Sequence, residues 1–270
     1  MSALVLDIDR LSITSGARRL VEEISLRVAP GERVGLIGES GSGKSLTALA
    51  SVGLLAEGLV PSGSIRLGGH QVVGAADSAL AKLRGEVAAM VFQEPLTALD
   101  PLMPIGRQLA EVVRRHARRN RHSMDRRSVE RAVLDLVRQV SLPHPDRLVR
   151  SFPHEISGGQ RQRVAIAMAL ACEPQLLIAD EPTTALDVTT QAEILTLLRD
   201  LVTARNMALL FISHDLPVVA GIAERVIVMR QGAIVEEGTV SQVFAKPAHA
   251  YTKSLMAAAR SFDDALEIPR

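Results

Sequence analysis

The hydrophobic pattern of this chain switches repeatedly between two periods. Short apolar runs of strand length alternate with segments of helical spacing, which predicts an α/β core. Leu4–Ile8, Ile24–Val28 and Ser64–Leu67 read as short strands separated by Gly or Pro turns, a small antiparallel sheet lying before and after the first glycine-rich segment. Arg33–Ile37, Val87–Phe92, Leu176–Ala179, Ala208–Ile212 and Arg225–Met229 read as buried core strands. From about Thr97 to Phe152 the pattern changes: apolar residues recur at helical spacing in Ile105–Ala117 and Ser128–Val140, with no convincing strand. That stretch is a candidate helical insertion, closed by the Pro-rich turn Leu142–Pro145. No internal repeat is visible, so a single unit is expected.

Composition narrows this picture. At 270 residues the chain is long for a minimal domain and short for two, which fits one compact unit with an insertion. Its residues are 47% hydrophobic, yet it has no Trp and one Tyr, so a large core must be aliphatic. The formal charge of +1 provides no global reason to expect nucleic acid. Lysines are few, at positions 44, 82, 246 and 253, so Lys44 needs its own explanation. The lone Cys172, in the apolar run Val164–Cys172, reads as a small buried thiol without a disulfide or cysteine metal site. No window approaches the roughly 20 apolar residues of a membrane span, and the N-terminus lacks the features of a signal peptide. The chain is expected to be soluble and cytosolic, with any membrane role arising through partners.

Gly38-Glu39-Ser40-Gly41-Ser42-Gly43-Lys44-Ser45 matches the phosphate-binding loop pattern G-x-x-x-x-G-K-[ST]. A strand precedes it and the helical run Ser45–Leu55 follows, as the pattern requires. Glycines let the backbone turn tightly so that N–H groups meet phosphate oxygens, and the helix start adds its positive end. Lys44 is expected to reach the β- and γ-phosphates, and the Ser45 hydroxyl to bind Mg²⁺. The four fixed positions would arise by chance in about one chain in a hundred of this length.

Further along, Leu176-Leu177-Ile178-Ala179-Asp180-Glu181 is an apolar strand ending in two acids. Alternation along a strand would aim the two carboxylates differently and so allow them different tasks. Asp180 is expected in the Mg²⁺ shell, and Glu181 as the general base that polarises the attacking water.

Ile156-Ser157-Gly158-Gly159-Gln160 resembles the LSGGQ signature of ATP-binding cassette (ABC) proteins, with Ile in place of Leu. Ser157 is a good N-cap, and the glycines expose backbone donors at the start of a helix running through Ala171. The order of the remaining segments strengthens the resemblance, which runs from about Leu4 to Ala258. Gln93, in Val91-Phe92-Gln93-Glu94-Pro95, matches the Q-loop, implying Mg²⁺ and γ-phosphate sensing and coupling to transmembrane subunits. Thr184-Ala185-Leu186-Asp187 matches the D-loop at the cassette dimer interface, and His214, in Ile212-Ser213-His214-Asp215, matches the switch histidine. The resemblance implies an ATPase with a P-loop (RecA-like) core, an N-terminal antiparallel β-subdomain and an inserted helical signature subdomain. On that basis residues 1–96 and 160–245 form the core, 97–159 the helical subdomain and 246–270 a tail. ATP and Mg²⁺ are the implied ligands, each ATP lying between the P-loop of one cassette and residues 157–160 of another.

Glu181-Pro182-Thr183-Thr184-Ala185-Leu186-Asp187-Val188-Thr189, Phe152-Pro153-His154-Glu155 and Pro247-Ala248-His249-Ala250-Tyr251-Thr252 resemble the peptide/nickel importer branch. That implies two integral-membrane permease subunits, a second cassette (a paralogue rather than an identical chain), and indirectly an extracytoplasmic solute-binding protein. The location implied is the cytoplasmic face of the inner membrane, with no nucleic-acid partner. Many members continue into a cysteine-rich extension; the sequence ends at Arg270 without one, which leans towards shorter members, including nickel and metallophore importers. The chief competing reading is a non-transport ABC ATPase acting on DNA or ribosomes, but neither coiled coils nor zinc insertions nor a second cassette is visible; a second is a regulatory or non-hydrolysing nucleotide-binding module, against which Glu181 and His214 argue. Arg114, Arg115, Arg118, Arg119, Arg121, Arg126 and Arg127 crowd the insertion, with Asp125 nearby. They read as a solvated face or as a contact for anionic headgroups or a permease loop, and behind both, for want of interleaved aromatics, as a nucleic-acid contact.

One expected feature is missing. ABC ATPases usually stack adenine on an aromatic residue upstream of the P-loop, whereas this chain has no aromatic before Phe92, and Ile13-Thr14-Ser15-Gly16 occupies the expected place. Arg18 or Arg19 is left to stack on the base. The expected result is weakened base discrimination: in competition binding, GTP and CTP should displace ATP more readily than in relatives that keep the aromatic. Equal discrimination would dismiss the idea.

Overall fold

The computed structural model describes residues 4–184 and 186–266, so Ala185 of the Thr184–Asp187 segment and residues 267–270 of the tail lie outside it. In chain order the strands and helices begin with β1 (Leu6–Ser15), β2 (Arg18–Val28), β3 (Arg33–Ile37), α1 (Lys44–Ser51), β4 (Leu59–Leu67), β5 (His70–Gln71) and α2 (Asp77–Leu83). Then come β6 (Ala88–Val91), α3 (Pro95–Ala98), α4 (Ile105–Arg119), α5 (Arg126–Gln139), α6 (Pro145–Leu148), a 3₁₀ turn at Pro153–Glu155, α7 (Gly158–Leu170), β7 (Leu176–Asp180) and α8 (Val188–Ala204). The chain closes with β8 (Ala208–Ser213), α9 (Leu216–Ile222), β9 (Arg225–Arg230), β10 (Ala233–Thr239), α10 (Val240–Ala245) and α11 (Ala250–Leu266). Contacts divide it into two units: one joins the segment up to Leu83 to the segment from Ala208, and the other is Arg84–Met207.

The first unit holds two kinds of strand. In the antiparallel sheet β2-β1-β4-β5, one face is covered and one is solvated, so β2 buries Val21, Ile24, Leu26 and Val28 and exposes polar residues between them. Its strands are longer than the apolar runs indicate, because a polar outer face interrupts hydrophobicity without ending the hydrogen-bond ladder. At β1 the register shifts between Ile8 and Leu11, where Arg10 takes φ +47° and returns Leu11 and Ile13 to the buried face. β3 runs parallel to both β8 and β9 and, like β8, is an almost continuous buried run. β10 returns antiparallel to β9 through Gln231 and Gly232, both at positive φ as in a type I′ hairpin turn. Arg225, on β9, ties these pieces together: Nε reaches Glu32 at 2.7 Å, the guanidinium also pairs with Glu237, and Nη2 donates to the Arg27 carbonyl at 2.6 Å.

The second unit is mainly helical around the parallel pair β6–β7. α7 packs against α3, α4, α5, α8 and β6, so the helix after the signature-like segment lies in the middle of this unit. Residues 97–152 contain helices and turns and no strand, as the periodicity predicted. Asp125 caps α5 by accepting from Ser128 N–H at 2.8 Å, and its bonds with Ser128 hold its carboxyl below the usual range. It is therefore engaged at a helix end, close to the arginines but serving the backbone. Arg114, Arg115, Arg118 and Arg119 line an open cleft of about 520 Å³ along α4. Cys172 is buried, and burial pushes its thiol pKa up, which agrees with an inert packing role.

Among the described residues no helix is long and apolar enough to cross a membrane. Phe211, at 0% exposure in the middle of β8, is the largest side chain of the aliphatic core that carries the phosphate-loop strand. Phe211→Ala is expected to lower the unfolding free energy by about 3–5 kcal/mol in a denaturant titration.

Candidate nucleotide site

The glycine-rich segment follows β3 directly. Lys44, only 4% exposed, lies at the start of α1 and curls back over the loop: Nζ donates to the Gly38 carbonyl at 2.7 Å and to the Glu39 carbonyl at 2.9 Å. Gly38 has φ +151°, and a Cβ there would lie 2.1 Å from the Met229 carbonyl oxygen, so no other residue fits without moving β9. The Ser42 carbonyl accepts from Gly232 N–H at 3.1 Å, which seats the loop on the β9–β10 turn. Gly43 is the N-cap of α1 at φ +102°, and no side chain caps this helix start. Ser45 is exposed in the first turn, whereas Ser42 is buried with an unpartnered Oγ. α1 is shorter than the run Ser45–Leu55, since the chain turns out after Ser51 and Leu54 N–H returns to the Leu49 carbonyl at 2.8 Å.

His214 belongs to the same unit. β3 and β8 are in parallel register with Ile37 opposite Ser213, so Gly38 and His214 leave the carboxyl ends of neighbouring strands. This is the end at which parallel α/β sheets bind ligands. His214 is exposed, between Ser213, whose Oγ accepts from Asp215 N–H at 3.0 Å, and Asp215, which caps α9 through Val218 N–H. Sequence reasoning missed Tyr251 near the loop: its hydroxyl, carried on the first turn of α11, accepts from Glu39 N–H at 2.9 Å. Its being the chain's single Tyr was an available signal.

In the second unit, β6 and β7 pair with Val91 opposite Ala179, which places Gln93, Asp180 and Glu181 at one end of that pair. Asp180 is the last residue of β7 and is buried. Glu181 has left the strand and adopts φ +46°. The two acids thus differ in backbone: Asp180 stays in the strand and Glu181 enters a left-handed turn, so the expected pleat alternation does not extend to Glu181. Gln93 Nε2 donates to Glu181 Oε2 at 3.2 Å and Thr184 Oγ1 donates to the same oxygen at 3.0 Å. The sequence marks Thr184 only as part of the following loop.

The signature-like segment caps its own helix. Ser157 Oγ accepts from Gln160 N–H at 3.3 Å while Gln160 Oε1 accepts from Ser157 N–H at 3.0 Å, a reciprocal capping box. The glycines between them pack closely against the next segment: a Cβ on Gly159 would lie 2.5 Å from Thr190 Cγ2. Thr190 in turn donates its N–H and hydroxyl to Asp187, at 2.9 and 2.7 Å, so Asp187 is the N-cap of α8. The Thr190 backbone bond, then its hydroxyl, hold the Asp187 carboxyl below the ordinary range.

Comparison with known proteins agrees with this arrangement. Residues 21–184 match the family model described as ABC transporter. The chain is 50% identical over 240 residues to the peptidoglycan transport ATP-binding protein YejF of Agrobacterium fabrum, covering 88% of this chain and 43% of that protein. It is 44% identical over 244 residues to the oligopeptide transport ATP-binding protein OppD of Bacillus subtilis, covering 90% of this chain and 67% of that one. The chain thus spans less than half the length of the Agrobacterium relative. Among solved structures, a dimeric ATP-binding cassette in a post-hydrolysis state bound to ADP and Pi superposes with a TM-score of 0.76 at 27% identity, covering 87% of this chain and 98% of that one. The phosphate loop, the acidic strand end and the capped signature helix, together with these matches, place the chain in the ABC transporter family as one of its ATP-binding cassettes.

Proposed function

We propose that this chain is the ATP-hydrolysing subunit of a membrane importer for peptides, nickel or metal-chelate substrates. The observation that carries the reading is the 44% identity to a named oligopeptide transport ATP-binding protein along nine-tenths of the chain. The tail Pro247–Thr252 and the run Glu181–Thr189 support the same branch. Two permease subunits, a second and paralogous cassette, and a solute-binding protein outside the membrane are the partners of this reading. The chain sits peripherally on the cytoplasmic face of the membrane.

In this mechanism residues Gly38–Ser45 cradle the triphosphate, and Lys44 neutralises its β and γ oxygens. Arg19 is already paired with Glu22 at 2.9 Å, so Arg18 is the residue proposed to stack on the base. Ser45 hydroxyl, the Gln93 side-chain carbonyl and the Asp180 carboxylate are the residues that would hold Mg²⁺, each offering the hard oxygen donor that this ion takes beside phosphate and water. When bound, the ion screens charge on the β- and γ-phosphates. Glu181, held by Gln93 and Thr184, accepts a proton from the attacking water while His214 orients it at the γ-phosphate. The P–O bond to ADP breaks as the new one forms. Ser157, Gly158, Gly159 and Gln160 of one cassette close on the nucleotide of the other, and Asp187 lies at their interface. Hydrolysis removes the bridge, the pair opens, and Gln93 with the helical segment 97–159 passes the motion to the permeases.

Glu181→Gln should keep ATP binding, accumulate as a closed cassette pair in size-exclusion chromatography and lose about 10²–10⁴-fold in phosphate release. Normal turnover would remove Glu181 as the base. Affinity purification of the chain from detergent-solubilised native membranes should bring down two polytopic permeases and a second cassette in mass spectrometry. Recovery with ribosomes or DNA-processing proteins and no permease would overturn the importer reading.

A further inference from the structure

The peptide unit joining Gly38 to Glu39 is gripped from both sides. Its carbonyl takes Lys44 Nζ at 2.7 Å, and its N–H donates to the Tyr251 hydroxyl at 2.9 Å. A peptide unit is planar, so fixing the direction of the N–H also fixes the direction of the carbonyl opposite. The hydroxyl of Tyr251 therefore sets one of the two carbonyls that orient the Lys44 ammonium group.

The ring that presents this hydroxyl is itself held. Tyr251 is 4% exposed, and the Arg230 guanidinium lies 4.9 Å over its ring centroid. Burial pushes its phenol pKa up, so the hydroxyl stays protonated near neutrality. The backbone that leads into α11 is fastened to β10: Glu236 accepts from Ala248 N–H at 2.7 Å and from His249 N–H at 3.0 Å. His249 Nδ1 then accepts from Tyr251 N–H at 3.1 Å. Arg230 ends β9 and Glu236 lies in β10, and the turn between these strands donates Gly232 N–H to the Ser42 carbonyl. The tail and the phosphate loop are thus referenced to the same hairpin from two directions.

We propose that Tyr251 is a positioning residue of the nucleotide site, and that the segment Pro247–Thr252 is the brace that aims the first peptide of the phosphate loop, and through it Lys44, at the triphosphate. This rests on reading Gly38–Ser45 as the nucleotide cradle. A phenylalanine would fill the same space but deprive Glu39 N–H of its acceptor, leaving the peptide plane held from its carbonyl side alone.

The test measures dissociation constants of the purified chain for Mg-ATP and for inorganic tripolyphosphate, by displacement of a fluorescent ATP analogue, beside the thermal midpoint without nucleotide. Tyr251→Phe should weaken both ligands in parallel by about two- to tenfold, with little change in the midpoint. In steady-state hydrolysis its KM for ATP should rise more than kcat falls. Glu236→Gln, which loosens the tail without touching ring or loop, should weaken both ligands in the same sense; it carries the test if Tyr251→Phe fails to fold. Lys44→Ala is the control for the cradle. If Lys44→Ala loses binding while the tail variants bind as wild type, the brace is overturned and the cradle stands. A loss confined to ATP and absent with tripolyphosphate also overturns it, since the hydroxyl would then act away from the phosphates. If Lys44→Ala binds normally, the cradle falls and the brace with it.

Discussion

A buried ammonium group must be surrounded by acceptors, and Lys44 finds its own in the loop that carries it. Leaving a charge unsolvated in the interior costs several kcal/mol, and the carbonyls of Gly38 and Glu39 offset that cost at 2.7 and 2.9 Å. Much of the first unit follows from keeping those two carbonyls in place. Gly38 has to lack a side chain because the loop passes so close to the Met229 carbonyl. The Ser42 carbonyl is seated on Gly232 N–H, and Tyr251 takes Glu39 N–H. What results is a helix start without a side-chain cap, next to a fixed positive charge, which is an environment suited to an anion.

The second unit solves a related problem with backbone strain. Glu181 sits in the left-handed region, which costs a non-glycine residue on the order of 1 kcal/mol or more. The turn is stabilised by Gln93 and Thr184, whose side chains hold the carboxylate. Asp180, one residue earlier, stays in the strand and buried. Adjacent acids thereby acquire different surroundings. The signature helix and α8 are linked in the same economical way: the contact of Gly159 with Thr190 joins two capped helix starts, those of Ser157 and Asp187. The tip of the signature helix and the first turn of α8 are therefore in direct contact.

The sequence by itself determined the class of fold and the family, and it marked the segments from which the site is proposed. Buried parallel strands such as Ala208–Ser213 are unbroken apolar runs, and the phosphate loop is a local pattern whose glycines and lysine are needed by the backbone they belong to. Such features are legible because cause and consequence lie within a few residues. The limits of the outer strands, the half-exposed β10 and the short α1 were not legible, because a polar solvated face or a local turn decides them. The structure alone settled the contacts between distant segments. Tyr251 meets Glu39 across 212 positions and Glu181 meets Gln93 across 88. A hydrogen bond between residues so far apart depends on where the core strands β3, β6, β7 and β9 deliver each end, and no local preference encodes that. Pleat alternation was the expectation for Asp180 and Glu181, and a left-handed turn took its place, since the chain must leave the strand where the side-chain partners of Glu181 are waiting.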